Sequence, residues 1–138
     1  MTAKEYLSKA RPLIEMIRQK EELLEETRIR AEGLAGLAAD QVRVKSSADP
    51  DRMTEAVAKI ISIEDDIAEG VVELMQTKAE TLNVIQHLED PVKMRLLYLR
   101  YVRCLDWDQV CADLDMSRSW INDLHARALD DVFEYIPM

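Results

Sequence analysis

The chain has 138 residues, enough for one domain or for a small domain with a helical extension. Glycine (3), proline (4) and aromatic residues (5%) are scarce, and Ala, Leu, Glu, Arg and Lys are plentiful, so the composition favours helix throughout. The net charge of −9 argues against nonspecific adhesion to nucleic acid. Apolar runs fall well short of the ~20 residues that span a bilayer, which with charge from Lys4 onward argues against a signal peptide, a membrane anchor or a membrane partner.

Thr2 and Glu5 have capping-box spacing, so a helix is expected to start at Ala3. Leu7, Ala10, Ile14, Ile17, Leu24 and Ala31 alternate in threes and fours, a narrow apolar seam on a heavily charged helix. Pro12 lies inside it, so either the helix kinks there or Arg11 marks a boundary. Glu21 and Arg28 occupy seam positions and break the regularity of a coiled coil. The pattern fades after Val44. Residues 45–51 form a break in which Asp49 is the expected cap and Pro50 the first residue of a second helix. That helix is expected to reach about Leu88 along Val57, Ile60, Ile67, Val71, Leu74, Ile85 and Leu88, with Glu64, Lys78 and Thr81 interrupting the seam. Two such helices joined by a short loop suggest an antiparallel hairpin. One narrow seam buries little apolar area, so the hairpin either packs on the C-terminal helices or self-associates into a homo-oligomer.

Asp90 and Pro91 repeat the cap-and-proline device, and the following helix, Val92 to Cys104, should present Leu96, Leu97, Leu99 and Tyr101 to a core. Asp106 and Gln109 have nearly capping-box spacing, and Trp107, Val110, Cys111 and Leu114 share one face of the helix they open. Asp115-Met116 interrupts that period, and Ser117 is a good cap for a last helix whose inner face is Ile121, Leu124 and Ala128. Helices joined by so short a turn cross steeply, which frees the outer face of the second one to enter a groove. Phe133, Tyr135 and Ile136 are expected to pack back onto this core.

The run LLYLRY, the W-x-x-V-C pattern, then L-x-M-S and I-x-x-L-x-x-x-A-L resemble region four of bacterial sigma factors. With the AKEYL opening and the long charged helix, the chain is similar to prophage-encoded transcriptional activators of the RinA and ArpU type. The resemblance implies a cytoplasmic regulator in a bacterial host, with double-stranded DNA and host RNA polymerase as partners and late phage genes as targets. No segment resembles the part of a sigma factor that melts promoters, so assistance to polymerase is implied rather than replacement of a full sigma factor.

In that arrangement the helix from Arg118 to Leu129 lies in the major groove with its N-terminal half against base edges. Arg118 suits guanine or phosphate, Asn122 suits adenine, and Ser117 with the first amides suits a phosphate. Ser119, Trp120 and Asp123 also face outward, and Arg127, Arg100 and Arg103 are candidate backbone contacts. Three departures from the sigma pattern matter. Asp115 stands where the turn usually has glycine, at some conformational cost. Trp120 stands where a basic residue is common; it either meets a thymine methyl or sugar or packs against Tyr or Phe in the core. Asp123 would repel phosphate, though it suits a cytosine amino group. Charge also opposes the reading: residues 1–90 carry 12 Lys+Arg against 19 Asp+Glu, a net −7, and residues 91–138 carry 6 against 8, a net −2.

Cys104 and Cys111 provide no disulfide framework and suit a reducing compartment; both read as packed thiols. His87 and His125 have no partner at zinc-ligand spacing, and Glu64-Asp65-Asp66 and Asp130-Asp131 point around their helices rather than to one ion. With no phosphate loop, nucleophile elbow or metal pair, no enzyme and no cofactor are expected. The expected fold is all-α: a long N-terminal antiparallel hairpin over 1–89 and a sigma region-four-like helix-turn-helix domain over 90–138. The alternatives are a polymerase-binding adaptor that reads no bases and a packaging protein like a small terminase subunit.

Overall fold

A computed structural model describes residues 1–42 and 50–137. The described residues are all-helical, with no strand among them: α1 (Ala3–Leu7), α2 (Ala10–Val42), α3 (Pro50–Ile85), α4 (Pro91–Leu97), α5 (Trp107–Leu114) and α6 (Arg118–Val132). A π-helical turn (Tyr98–Val102) extends α4, and a 3₁₀ turn (Phe133–Tyr135) follows α6. The expected break at residues 45–51 and the cap at Asp49 fall mostly outside the described residues; α3 does begin at Pro50. The chain separates into two compact units, residues 1–14 with 73–138, and residues 15–72. The division expected after residue 89 falls inside the first of them.

Short-range chemistry sets the helix starts in the first unit. Thr2 Oγ1 accepts from the Glu5 N–H at 3.1 Å and opens α1. Asp90 Oδ1 accepts from the Val92 and Lys93 N–H groups at 2.9 and 3.3 Å, with Pro91 first in α4. The chain breaks after α1, four residues ahead of Pro12, whose missing N–H could not have bonded back to Ser8. The expected single helix from Val92 to Cys104 is corrected: at Tyr98 the bonding widens to π geometry, the Arg103 N–H reaching Tyr98 O at 2.9 Å. Cys104 then takes a positive φ of 55° and lies outside any helix.

The core of this unit gathers Leu96, Leu97, Leu99 and Tyr101 with Val110, Ile121, Ala128 and Val132. Ala3, Tyr6 and Leu7 join it from the N-terminus, and Val84, Ile85 and Leu88 from the end of α3. Of the three terminal residues expected to pack back, only Ile136 is buried. Phe133 is 51% exposed and Tyr135 36%, because the 3₁₀ turn directs them outward.

In the second unit α2 lies beside α3, with Lys20 paired to Asp66 at 3.0 Å and Arg28 to Glu64 at 3.1 Å. Ile17 and Ile63 are buried there, and Gly70 faces Ile17 closely enough that a Cβ would stand 3.2 Å from Ile17 Cγ1. The expected α3 seam needs correcting at two positions: Val57 and Val71 are exposed (48% and 38%). The inner face instead follows Ala56, Ile60, Ile63, Ile67 and Gly70, one residue out of phase with those valines. Thr27 and, in the first unit, Thr81 are buried seam hydroxyls that donate to their own helices, to Leu23 O at 2.7 Å and Thr77 O at 3.0 Å.

Candidate nucleic-acid interface

The segment from Asp106 to Val132 is assembled from local hydrogen bonds. The Gln109 N–H donates to Asp106 Oδ1 at 2.8 Å, the Asp106 N–H donates to Gln109 Oε1 at 3.1 Å, and this complete capping box opens α5. At its far end the Met116 N–H reaches Cys111 O and the Asp115 N–H reaches Ala112 O, a Schellman closure that requires a left-handed residue. Asp115 supplies it at φ 53°, ψ 50°, where glycine is the usual occupant. Ser117 Oγ then accepts from the Trp120 N–H at 3.2 Å and α6 begins. Ile121 and Ala128 are fully buried and Leu124 half-buried, which fixes the rotation of α6 and turns its other side to solvent.

On that outer side Ser117, Arg118, Ser119, Trp120, Asn122 and Asp123 are all exposed and line one shallow hollow. Trp120 is 62% exposed, so of its two expected roles packing into the core is removed. Asp123 pairs with Arg127 one turn later at 3.3 Å, which offsets its charge; both groups are well exposed, so the pair rearranges at little cost. Arg103 is exposed. Arg100 differs from a free surface cation: its Nη1 donates to Leu105 O at 2.9 Å and its guanidinium lies 4.3 Å over the Trp107 ring.

Trp107 is the hub of the site. Arg118 covers the same ring at 4.8 Å, and His125 meets it edge-on with centroids 4.7 Å apart. His125 Nε2 and the Tyr101 hydroxyl share a hydrogen bond of 2.6 Å. Burial, then the charges of Lys4, Arg100 and Arg118, push the His125 pKa from 6.5 down to about 4, so it is neutral at pH 7. Burial also raises the Tyr101 pKa, although Arg100 and Arg11 pull it down. The Arg100 pKa is lowered by burial first, then by Arg11.

Arg11 was absent from the expected site. Its Nη2 donates to Leu105 O at 3.1 Å, across 94 residues of sequence, and shares that carbonyl with Arg100. Local reading would have paired Arg11 with Glu15 one turn on, but Glu15 pairs with Arg18 at 3.3 Å. Among the described residues no carboxylate lies within ion-pair distance of Lys4, Arg11, Arg100, Arg103 or Arg118. Two other cations of the same unit do meet acids, Lys93 with Asp131 at 2.6 Å and Arg95 with Asp113 at 3.4 Å.

Cys104 and Cys111 are free and half-buried, and the Cys104 thiol rests 3.4 Å from Tyr101 O. Among the described residues no three His, Cys, Asp or Glu side chains are grouped to hold a metal ion, and no helix is long and apolar enough to cross a membrane. Neither a curated protein nor a solved structure matches the chain. Residues 38–132, more than half of the sequence, match the model of a family described as "Protein of unknown function (DUF1492)". The match takes in the end of α2 and the whole of α3, α4, α5 and α6. The chain belongs to the DUF1492 family.

Proposed function

We propose that the chain is a phage-type DNA-binding transcriptional regulator whose α5, Asp115 turn and α6 act as a sigma-like helix-turn-helix on double-stranded DNA. The observation that carries this reading is a group of arginines beside the head of α6. Arg100 and Arg118 share the Trp107 ring, and Arg11 shares the Leu105 carbonyl with Arg100, beside a hollow lined by polar and aromatic side chains. In the major groove, Arg118 and Asn122 read base edges, Ser117 with the first amides of α6 takes a phosphate, and Arg103 contacts the backbone. Arg100 acts through its fixed position on Trp107. The pairings of Lys20 with Asp66 and Arg28 with Glu64 support a long antiparallel hairpin. A row of exposed Val57, Ile61, Ala68 and Val72 on α3 supports self-association through it. In this reading the protein acts in the cytoplasm of a bacterial host by binding alone, without enzymatic activity or cofactor, and assists host RNA polymerase.

Selection on random duplexes at low and moderate salt tests the proposal. Enrichment of a site, lost on Arg118→Ala with Asn122→Ala, is the expected result; no enrichment at either salt refutes it. A second reading, a polymerase-binding adaptor that ignores base sequence, is favoured by the opposite end of α6. There Glu89, Asp90, Asp130 and Asp131 surround exposed Phe133 and Tyr135, a surface suited to a basic protein. Regulation that survives Arg118→Ala with Asn122→Ala would favour it.

A further inference from the structure

We propose that Arg11, Arg100 and Arg118 form a row of guanidinium groups that seats a phosphate of a nucleic-acid strand, so that Arg11, though far off in sequence, belongs to the binding surface. Arg100 is the middle member, sharing the Leu105 carbonyl with Arg11 and the Trp107 ring with Arg118. The inference takes its ligand's source from the duplex-binding reading, and the test below separates the two.

The Leu105 carbonyl accepts from both Arg11 and Arg100, and Arg11 Nη2 also reaches Arg100 O at 3.5 Å. Guanidinium groups are thus held together here, while no carboxylate stands within ion-pair distance of Arg11 or Arg100 among the described residues. Each guanidinium carries five N–H donors, and these contacts occupy few of them. The Nε–H of Arg11 is buried and meets no acceptor. Three like charges held together by a carbonyl and an indole repel one another, and an oxyanion with several acceptor oxygens relieves that repulsion. Planar forks match phosphate better than an ammonium does. A phosphate on a strand is favoured over a free one because the row ends at Arg118, on the exposed hollow at the head of α6.

The test is the salt dependence of duplex binding by the full-length chain. Arg11→Gln should reduce the slope of log K against log salt by about 0.9, the loss of one phosphate contact. Lys9→Gln removes the same charge from the same segment, but Lys9 lies over the Tyr6 ring, outside the row, and its slope should not change. Equal slopes for the two variants overturn the proposal. Should Arg11→Gln fail to fold, Arg11→Lys keeps the charge and loses the fork: affinity should fall severalfold at an unchanged slope, and unchanged affinity overturns the row.

A second arm uses inorganic pyrophosphate against chloride at matched ionic strength, read by the thermal midpoint. If no duplex binds but pyrophosphate raises the midpoint of the native chain and not of Arg11→Gln, the seat stands with a free phosphate as ligand and the duplex reading falls. If neither duplex nor pyrophosphate responds, both are overturned.

Discussion

Acidification from pH 7 to pH 5 should weaken the first unit through one side chain, His125. In the unfolded chain its imidazole titrates near 6.5; in the folded chain burial and the cations of Lys4, Arg100 and Arg118 hold it at about 4. The folded pKa is the lower one, so between these values the unfolded state binds more protons. Stability is therefore full above about pH 6.5 and is lost as pH falls towards 4. At pH 5 the gap from 6.5 corresponds to at most about 2 kcal/mol at ~1.36 kcal/mol per pH unit. His125 is only half-buried, and solvent screening reduces the expected loss to about 1 kcal/mol. Urea unfolding at pH 7 and pH 5, followed by tryptophan emission, measures it, because Trp107 packs against the His125 ring. His125→Gln retains a hydrogen-bonding partner for Tyr101 and cannot titrate, so its loss over the same interval should be about 1 kcal/mol smaller. Equal losses in the native chain and the variant would refute the assignment of the effect to His125.

Two further substitutions test the frame of the site. Leu7 is fully buried among residues of the C-terminal helices, so Leu7→Ala should cost about 2–5 kcal/mol in the same tryptophan-detected transition; a cost below about 0.5 kcal/mol, the range of ordinary surface changes, would detach the N-terminus from that core. Asp115 holds a left-handed conformation at the α5–α6 turn, and Asp115→Gly should raise stability by about 0.5–1 kcal/mol in the same assay, whereas Asp115→Val should lower it.

Sequence alone determined the helical class and most of the helix starts. Thr2, Asp90 with Pro91, Asp106 with Gln109, and Ser117 each act on N–H groups within three residues, so their hydrogen bonds are legible from spacing. The inner face of α6 was legible for the same reason: Ile121, Leu124 and Ala128 repeat at the helical period, and the polar residues between them had to face outward. The break at Asp115 was legible in the interrupted period between Leu114 and Ser117, whereas its left-handed conformation was implied by the resemblance, which puts glycine there.

Tertiary structure decided the rest. The phase of the α3 seam depends on how closely α2 approaches at Gly70, a residue with no side chain to mark it, and so Val57 and Val71 read as inner positions and are not. The π turn that ends the α4 helix early, and the outward course of Phe133 and Tyr135, were likewise not legible in the periodicity. Above all, which cations stay unpaired is a property of distance in space. Arg11 meets the Leu105 carbonyl from 94 residues away, while Arg95 and Lys93 find acids 18 and 38 residues away. Net charge sums these groups without regard to place. The fold sorts them, bringing Arg11, Arg100 and Arg118 together with no carboxylate in ion-pair distance among the described residues, on a chain of net charge −9, because ion pairing is decided over a few ångströms and not along the sequence.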